Sequence, residues 1–246
     1  MFVTIFDPVP FVSMFQSIKG LTDTVGLVFS DTGLRVCVLD RSHIVFIELY
    51  FKHEFFSDYE TTDFEEFIVD CDDFLHCFSN IKSDNVITLS SETDELLNVI
   101  VESDYRKVYD LGCVERDYKP PAPPQIDVPT SIILPQYYLK DCLKEVEYFK
   151  EALIIKVNKD NVEVKPSDDL MGGVTLNYIH ECDVKEEVSS MYSCEKLKEI
   201  LRADKISNEW VVSLGLDTPL LLENISDSGD YGLKSMIAPR IENRDY

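Results

Sequence analysis

Lys119-Pro120-Pro121-Ala122-Pro123-Pro124-Gln125 lies at the middle of a chain of 246 residues. Each proline removes an amide donor and holds φ at about −65°, so such a run excludes a helix interior and a central strand. The stretch reads as an extended, exposed linker. The chain therefore divides into residues 1–117 and residues 131–246, with residues 118–130 as the connector.

Working outward from the linker, the two halves carry the same order of elements. Each opens with a short strand and an amphipathic helix: Phe2–Phe6 then Val9–Leu21, and Ser131–Leu134 then Gln136–Phe149. Pro8 and Pro135 sit where a first helical turn tolerates proline. Two strands around a turn follow in each half. Asp31-Thr32-Gly33 separates Val25–Ser30 from Leu34–Leu39, and Asn158-Lys159-Asp160-Asn161 separates Leu153–Val157 from Val162–Lys165. Both turns have hairpin chemistry. Then come a strand (Ile44–Phe51; Val174–Ile179) and a second helix (Asp72–Ile81; Cys194–Ala203). Three last strands close each half: Asn85–Ser90, Leu96–Val101 and Arg106–Leu111 against Glu209–Leu214, Pro219–Leu222 and Gly232–Ile237. An offset of about 122–130 residues held across so many elements argues for internal duplication. The predicted class is α+β: two similar domains, each mostly antiparallel sheet with two helices.

Composition narrows the function. Twenty-three Lys and Arg face 46 Asp and Glu, a formal net charge of −23. Broad DNA grips are basic, because phosphate neutralisation supplies most of their affinity. This chain must confine its cations to one surface if it meets DNA at all. The seven cysteines are odd in number and none shows CxxC spacing, so neither a disulfide framework nor a zinc site is expected. Free thiols point to a reducing, intracellular setting. The N-terminal residues lack the basic start of a signal peptide, and no apolar run reaches the length of a membrane span. No phosphate loop, HExxH or GxSxG motif occurs, so no enzyme and no cofactor are predicted. Asp70-Cys71-Asp72-Asp73 could in principle hold a metal, but it stands where a helix begins and reads as a cap. Ser167-Asp168-Asp169 and Asp227-Ser228-Gly229-Asp230 read as turns.

Three short segments then carry a resemblance. They are Gly33-Leu34 with Leu39-Asp40-Arg41-Ser42-His43-Ile44, Asp217-Thr218-Pro219-Leu220, and Ala238-Pro239-Arg240-Ile241-Glu242. Together, in this order and on a duplicated frame, they resemble the sliding clamps of the proliferating-cell-nuclear-antigen (PCNA) type, with a length closer to archaeal or viral members. The resemblance implies a ring of three chains, identical or related, around double-stranded DNA, with helices lining the hole and sheets outside. It implies docking of a DNA polymerase, a clamp loader, a flap endonuclease and a ligase through a short glutamine–aliphatic–aromatic motif, and action at replicating DNA. A clamp-like module that does not encircle DNA is the competing reading: a checkpoint-type relative, a monomeric processivity factor or an acidic DNA mimic.

The DNA-facing cations expected on this resemblance are Lys19, Lys82, Lys140, Lys144, Lys198, Arg202 and Lys205. Lys140 and Lys144 lie one helical turn apart, beside an apolar stripe of Leu139, Cys142, Leu143 and Val146. Lys198, Arg202 and Lys205 extend a second ridge if their helix runs that far. The first half is poorer, with Val12 and Ser13 where the family commonly has lysines. The partner pocket falls on Leu39, His43, Ile44, Phe46, Pro124, Val128, Ile237, Ala238 and Pro239. The subunit interface falls on two strands, at Tyr109 and Leu111 in one and Val174, Leu176 and Tyr178 in the other.

Overall fold

The computed structural model of the chain describes residues 1–61, 64–93, 95–114, 121–124, 126, 128–167, 173–179, 182, 184 and 187–240. They fall into two compact units. The first comprises Met1–Pro123 with Arg202–Ile206 and Ile225–Leu233; the second comprises Pro124–Leu201, Ser207–Asn224 and the residues from Lys234 onward.

The first unit contains β1 (Phe2–Ile5), α1 (Pro8–Gln16), β2 (Thr24–Ser30), β3 (Gly33–Leu39), β4 (Val45–Lys52), β5 (Asp58–Glu60), β6 (Phe64–Asp70), α2 (Cys71–His76), β7 (Val86–Thr93), β8 (Leu96–Glu102) and β9 (Arg106–Gly112). One antiparallel sheet runs β5-β1-β7-β8-β9, and β4-β3-β2-β6 run antiparallel in another. Gly33 is required at the β2–β3 turn. Its φ is +131°, and a Cβ there would stand 2.0 Å from the Phe51 carbonyl oxygen.

Helix α1 is apolar nearly all round, as its sequence Pro-Val-Pro-Phe-Val-Ser-Met-Phe-Gln dictates, and only Val9 and Gln16 are half-exposed. A helix of that kind must be enclosed. Phe11 and Phe15 meet each other and Phe51, Phe74 and Phe78 with ring centroids 4.8–6.1 Å apart. Such pairs add about 0.5–1.5 kcal/mol each beyond the area they bury. The helix stops at Gln16 rather than continuing to Leu21. The next residues tighten into three-residue turns, with Ile18 N–H donating to the Phe15 carbonyl and Leu21 N–H to that of Ile18. Helix α2 is likewise shorter than its apolar pattern suggests, and the Asp70 carboxylate accepts from Asp73 N–H at 2.9 Å. The acidic cluster is thus a helix cap, and among the described residues no cluster of His, Cys, Asp or Glu is arranged to hold a metal.

The second unit contains β10 (Thr130–Pro135), α3 (Gln136–Glu147), β11 (Ala152–Val157), β12 (Asn161–Pro166), β13 (Leu176–Ile179), β14 (Val188–Ser193), α4 (Cys194–Ile200), β15 (Glu209–Leu214) and β16 (Leu220–Ile225). Strands β13-β12-β11-β14 form one antiparallel sheet, and β10-β15-β16 run antiparallel in order. The apolar stripes on α3 (Leu139, Cys142, Leu143, Val146) and α4 (Leu197, Ile200, Leu201) are buried. They leave a small apolar cavity against Leu153, Leu220 and Leu222.

The last strand, β17 (Tyr231–Ile237), begins in the first unit, where Tyr231–Leu233 lie beside β4. The fit is close: a Cβ on Gly232 would meet the Tyr50 hydroxyl at 2.7 Å, and Lys52 N–H donates to the Asp230 carbonyl at 2.7 Å. Residues 227–230 form the turn expected of them, with Gly229 N–H donating to the Ser226 carbonyl. Asp168 and Asp169, assigned to a turn on sequence, lie outside the described residues, as do Ile241 and Glu242.

Three strands escape a reading by pattern: β6, β14 and the three-residue β5. β6 begins Phe-Glu-Glu-Phe and β14 reads Val-Ser-Ser-Met, so neither alternates cleanly. Both are held by pairing, β6 with β2 over seven residues and β14 with β11 over six.

Candidate functional site

Cations come first, because they are scarce. In the second unit Lys144 is exposed and Lys140 half-buried one turn earlier on α3. On α4, Lys198 Nζ lies 2.7 and 2.8 Å from the two carboxylate oxygens of Glu147 at the end of α3. The pair is about half-exposed on both sides. An exposed pair of this kind is worth only about 0–1 kcal/mol, so Lys198 can exchange Glu147 for another anion at little cost.

Arg202 and Lys205 do not continue that ridge. The last helical bond of α4 runs from Leu201 N–H to the Leu197 carbonyl, and Leu201 already has ψ near 0°. Asp204, Ser207 and Asn208 follow, residues whose side chains compete with helical backbone bonding. Arg202–Ile206 instead belong to the first unit. There the Ser13 hydroxyl donates to the Arg202 carbonyl at 3.3 Å and accepts from Lys205 N–H at 3.2 Å. Ser13 and Val12 are buried. A charged side chain at Ser13 would be buried under this segment. Lys19 and Lys82 are exposed beyond the ends of α1 and α2, and Lys82 N–H is fixed by the Asn85 side-chain oxygen at 2.9 Å.

A second feature is the turn between β3 and β4. Asp40 is buried, and its carboxylate accepts from Ile44 N–H at 2.7 Å, Val45 N–H at 2.8 Å and the Ser42 hydroxyl. His43 N–H donates to the Asp40 carbonyl, and Asp40 N–H to that of Val45. His43 is held at φ +57°, which a non-glycine residue adopts only when its surroundings over-determine it. The turn lifts His43 and Ile44 to the surface, with Ile44 39% exposed and Leu39 36% exposed. Asp40 is an organising residue that pattern reading passes over. Its signal is an aspartate followed by serine two residues on, the chemistry of a side-chain-closed turn.

The other pocket candidates divide. Phe46 is 4% exposed and Ile237 0%, so both are core residues rather than open lining. Ala238, Pro239 and Val128 are half-buried and Pro124 is exposed. Leu39, His43, Ile44 and Phe46 belong to the first unit and the other five to the second.

Third are the sheet ends. Among the described residues, β9 closes one sheet and pairs only with β8, Val99 opposite Tyr109 and Leu97 opposite Leu111; β13 closes another and pairs only with β12, Val164 opposite Leu176 and Val162 opposite Tyr178. Val174 lies ahead of β13, which starts at Leu176, so it is not a strand residue. Val108 and Ile179 are the exposed apolar residues of these edges.

Five of the buried cysteines carry no reactive signature. Burial pushes the Cys71 and Cys142 thiols up to about 12 and those of Cys37, Cys77 and Cys194 up to about 11, which keeps them protonated at neutral pH.

Residues 10–118 match the family model of the proliferating cell nuclear antigen N-terminal domain. The DNA polymerase sliding clamp of Methanothermobacter thermautotrophicus is 29% identical over 236 residues, 96% of this chain and 96% of the relative. That of Methanobrevibacter smithii is 28% identical over 229 residues, 93% of each. Among solved structures, a chain of the PCNA2–PCNA3 complex from Sulfolobus tokodaii matches with a TM-score of 0.88 at 19% identity, over 98% of this chain and 99% of that one. At that identity the likeness shows the fold, and it covers both units. The first half of the chain is thus similar to the proliferating cell nuclear antigen N-terminal domain, and nearly the whole chain is similar to proteins named DNA polymerase sliding clamp and shares their two-domain α+β fold.

Proposed function

We propose that this chain is one subunit of a DNA sliding clamp. Three chains of two domains each, residues 1–117 and 131–246 joined by the connector 118–130, close head to tail into a ring around duplex DNA. The ring tethers a DNA polymerase to its template, so its work is topological rather than catalytic. It acts on replicating DNA inside the cell.

One observation carries this reading. In the duplication β17 is the counterpart of β9, and β4 is the counterpart of β13. Within the chain, the start of β17 already lies beside β4. β9 and β13 are the same kinds of strand, and each ends a sheet among the described residues. Repeating the β17–β4 neighbourhood between chains pairs β9 of one subunit with β13 of the next. That buries two exposed edges and closes rather than propagates if the rotation matches. Tyr109 and Leu111 then face Leu176 and Tyr178 across the junction.

Lys140, Lys144 and Lys198 from the second unit and Lys19, Lys82, Arg202 and Lys205 from the first are the phosphate-facing cations. A sliding contact needs few of them, which fits a chain of net charge −23. The docking surface comprises Leu39, His43 and Ile44 of the first unit, held by the Asp40 turn, and Pro124, Val128, Ala238 and Pro239 of the second, with Phe46 and Ile237 as core residues of their units. It receives the glutamine–aliphatic–aromatic motif of a polymerase, clamp loader, flap endonuclease or ligase.

Light scattering tests the assembly: a mass three times that of the 28.3 kDa chain is expected. Polymerase product length on primed circular DNA tests the function, because a ring cannot slide off a circle. A monomer that lengthens no products would overturn the proposal.

A further inference from the structure

Helix α3 does more than present cations. Tyr138, on its first turn, is buried on the face opposite the lysines. Its hydroxyl lies 3.0 Å from the Val162 carbonyl oxygen and 3.2 Å from that of Leu176. Val162 belongs to β12 and Leu176 is the first residue of β13, so one proton is shared across the seam between the two strands. The Tyr138 ring also packs on the Tyr178 ring, 5.1 Å between centroids and 39° between planes. Tyr178 sits opposite Val162 in the register. Burial raises the Tyr138 phenol, so it remains a donor throughout the ordinary pH range.

β13 needs this support. It has four residues and, among the described residues, ends its sheet and pairs with β12 alone. Short terminal strands open locally well before the domain unfolds. Nothing on β13 itself is fully buried: Leu176 and Tyr178 are half-buried, and Ile179 is 87% exposed.

We infer that Tyr138 is a positioning residue for ring closure: from helix α3 it pins the first and third residues of edge strand β13 in the extended, in-register form that a neighbouring subunit's β9 must meet. The inference rests on the β9–β13 junction proposed above. It assigns assembly to a residue outside that junction and makes the helix carrying Lys140 and Lys144 a structural neighbour of the interface. The hydroxyl fixes Leu176 and the ring fixes Tyr178. A subunit in which β13 frays must order it on binding and loses that free energy from the junction.

The test compares Tyr138→Phe with Tyr192→Phe. Tyr192 lies on β14 of the same unit, and its buried side chain donates to the Thr218 carbonyl at 2.9 Å, away from β13. Each variant removes one buried hydroxyl bonded to the backbone, with two carbonyl partners at Tyr138 and one at Tyr192, so a general loss of stability appears in both. Ring dissociation is followed by dilution in mass photometry, and hydrogen exchange is followed at residues 176–179. Tyr138→Phe is expected to raise the dissociation concentration about three- to tenfold per junction, the worth of one hydrogen bond, and to speed exchange at 176–179. Tyr192→Phe is expected to leave both at wild-type values. Equal dissociation for all three proteins, or an equal shift in the two variants, overturns the inference. A wild-type chain that is monomeric at every concentration overturns the ring reading instead, and exchange at 176–179 then still decides whether Tyr138 holds β13.

Discussion

Helices α1 and α3 occupy the same place in the two halves of the duplication and have gone opposite ways. α1 is enclosed on nearly every side, with phenylalanines inward and Ser13 capped by the 202–206 segment. α3 keeps one buried stripe and turns Lys144, Glu145 and Glu147 to solvent. The first unit is packed ring on ring, whereas the second is packed with leucines that leave a small void. The same fold thus supports a helix that serves the core and a helix that serves a surface. The contrast teaches that the cations missing from the first half are missing where burial excludes them.

The largest expected effect tests the packing side of this contrast. Phe15→Ala removes a fully buried ring that meets Phe11, Phe51 and Phe74. It should cost about 3–5 kcal/mol. Leu143→Ala beside the existing void of the second unit should cost less, about 2–3 kcal/mol, because the site has room to relax. Urea unfolding of the two variants measures the difference. Equal losses would erase the distinction between the cores.

Next comes the edge strand of each unit. Proline at Tyr109 in β9 or Leu176 in β13 removes a ladder donor and strains the strand. Either substitution should bring the light-scattering mass down toward a single chain while the far-ultraviolet signal stays nearly intact. A full ring from both variants would mean that the edges lie elsewhere.

Docking gives a smaller effect, confined to the first unit. Ile44→Glu places a charge in the apolar surface held by the Asp40 turn, and should weaken a glutamine–aliphatic–aromatic peptide by about 2–4 kcal/mol in calorimetry, the worth of an aromatic anchor. Ile237→Asp is a poor companion, since Ile237 is wholly buried and its replacement reports folding. Asp40→Ala is the better one: it should weaken the same peptide without changing ring mass, by releasing Ile44 and Val45 from their shared acceptor. Binding unchanged in Ile44→Glu and Asp40→Ala would move the docking site.

The smallest effect separates the two sets of cations. Alanine at Lys140, Lys144 and Lys198 should flatten the salt dependence of clamp-stimulated synthesis, by about one in log–log slope for each phosphate that the variant no longer neutralises. Alanine at Lys19 and Lys82 should flatten it less, because these two stand beyond the ends of their helices. The reverse order would make the first unit the main DNA-binding half.

Much of the fold is legible in the sequence, for identifiable reasons. The Asp31-Thr32-Gly33 turn is local chemistry, and Gly33 has the backbone angle such a turn demands. The stripes on α3 and α4 are periodic and local, so their buried faces can be read residue by residue. β6 and β14 cannot, because Glu65-Glu66 and Ser189-Ser190 break the alternation and only partner strands hold them extended. The sequence overextends α4 because the i, i+4 spacing of Lys198 and Arg202 fits a longer helix. The chain leaves the helix at Leu201 to deliver Ala203 and Ile206 as buried residues of the first unit.

By itself the sequence determined the duplication, the α+β class, the scarcity of cations and the motifs that carry the resemblance, since each depends on neighbours in the chain. Tertiary structure alone decided that Ser13 lies under the 202–206 segment, that Asp40 closes the His43 turn from inside, that Ile237 is core, and that Tyr138 reaches from α3 to β13. Those are interactions between residues far apart along the chain or between side chain and backbone. Spacing cannot specify them, because burial and hydrogen-bond satisfaction are settled only when the whole unit packs.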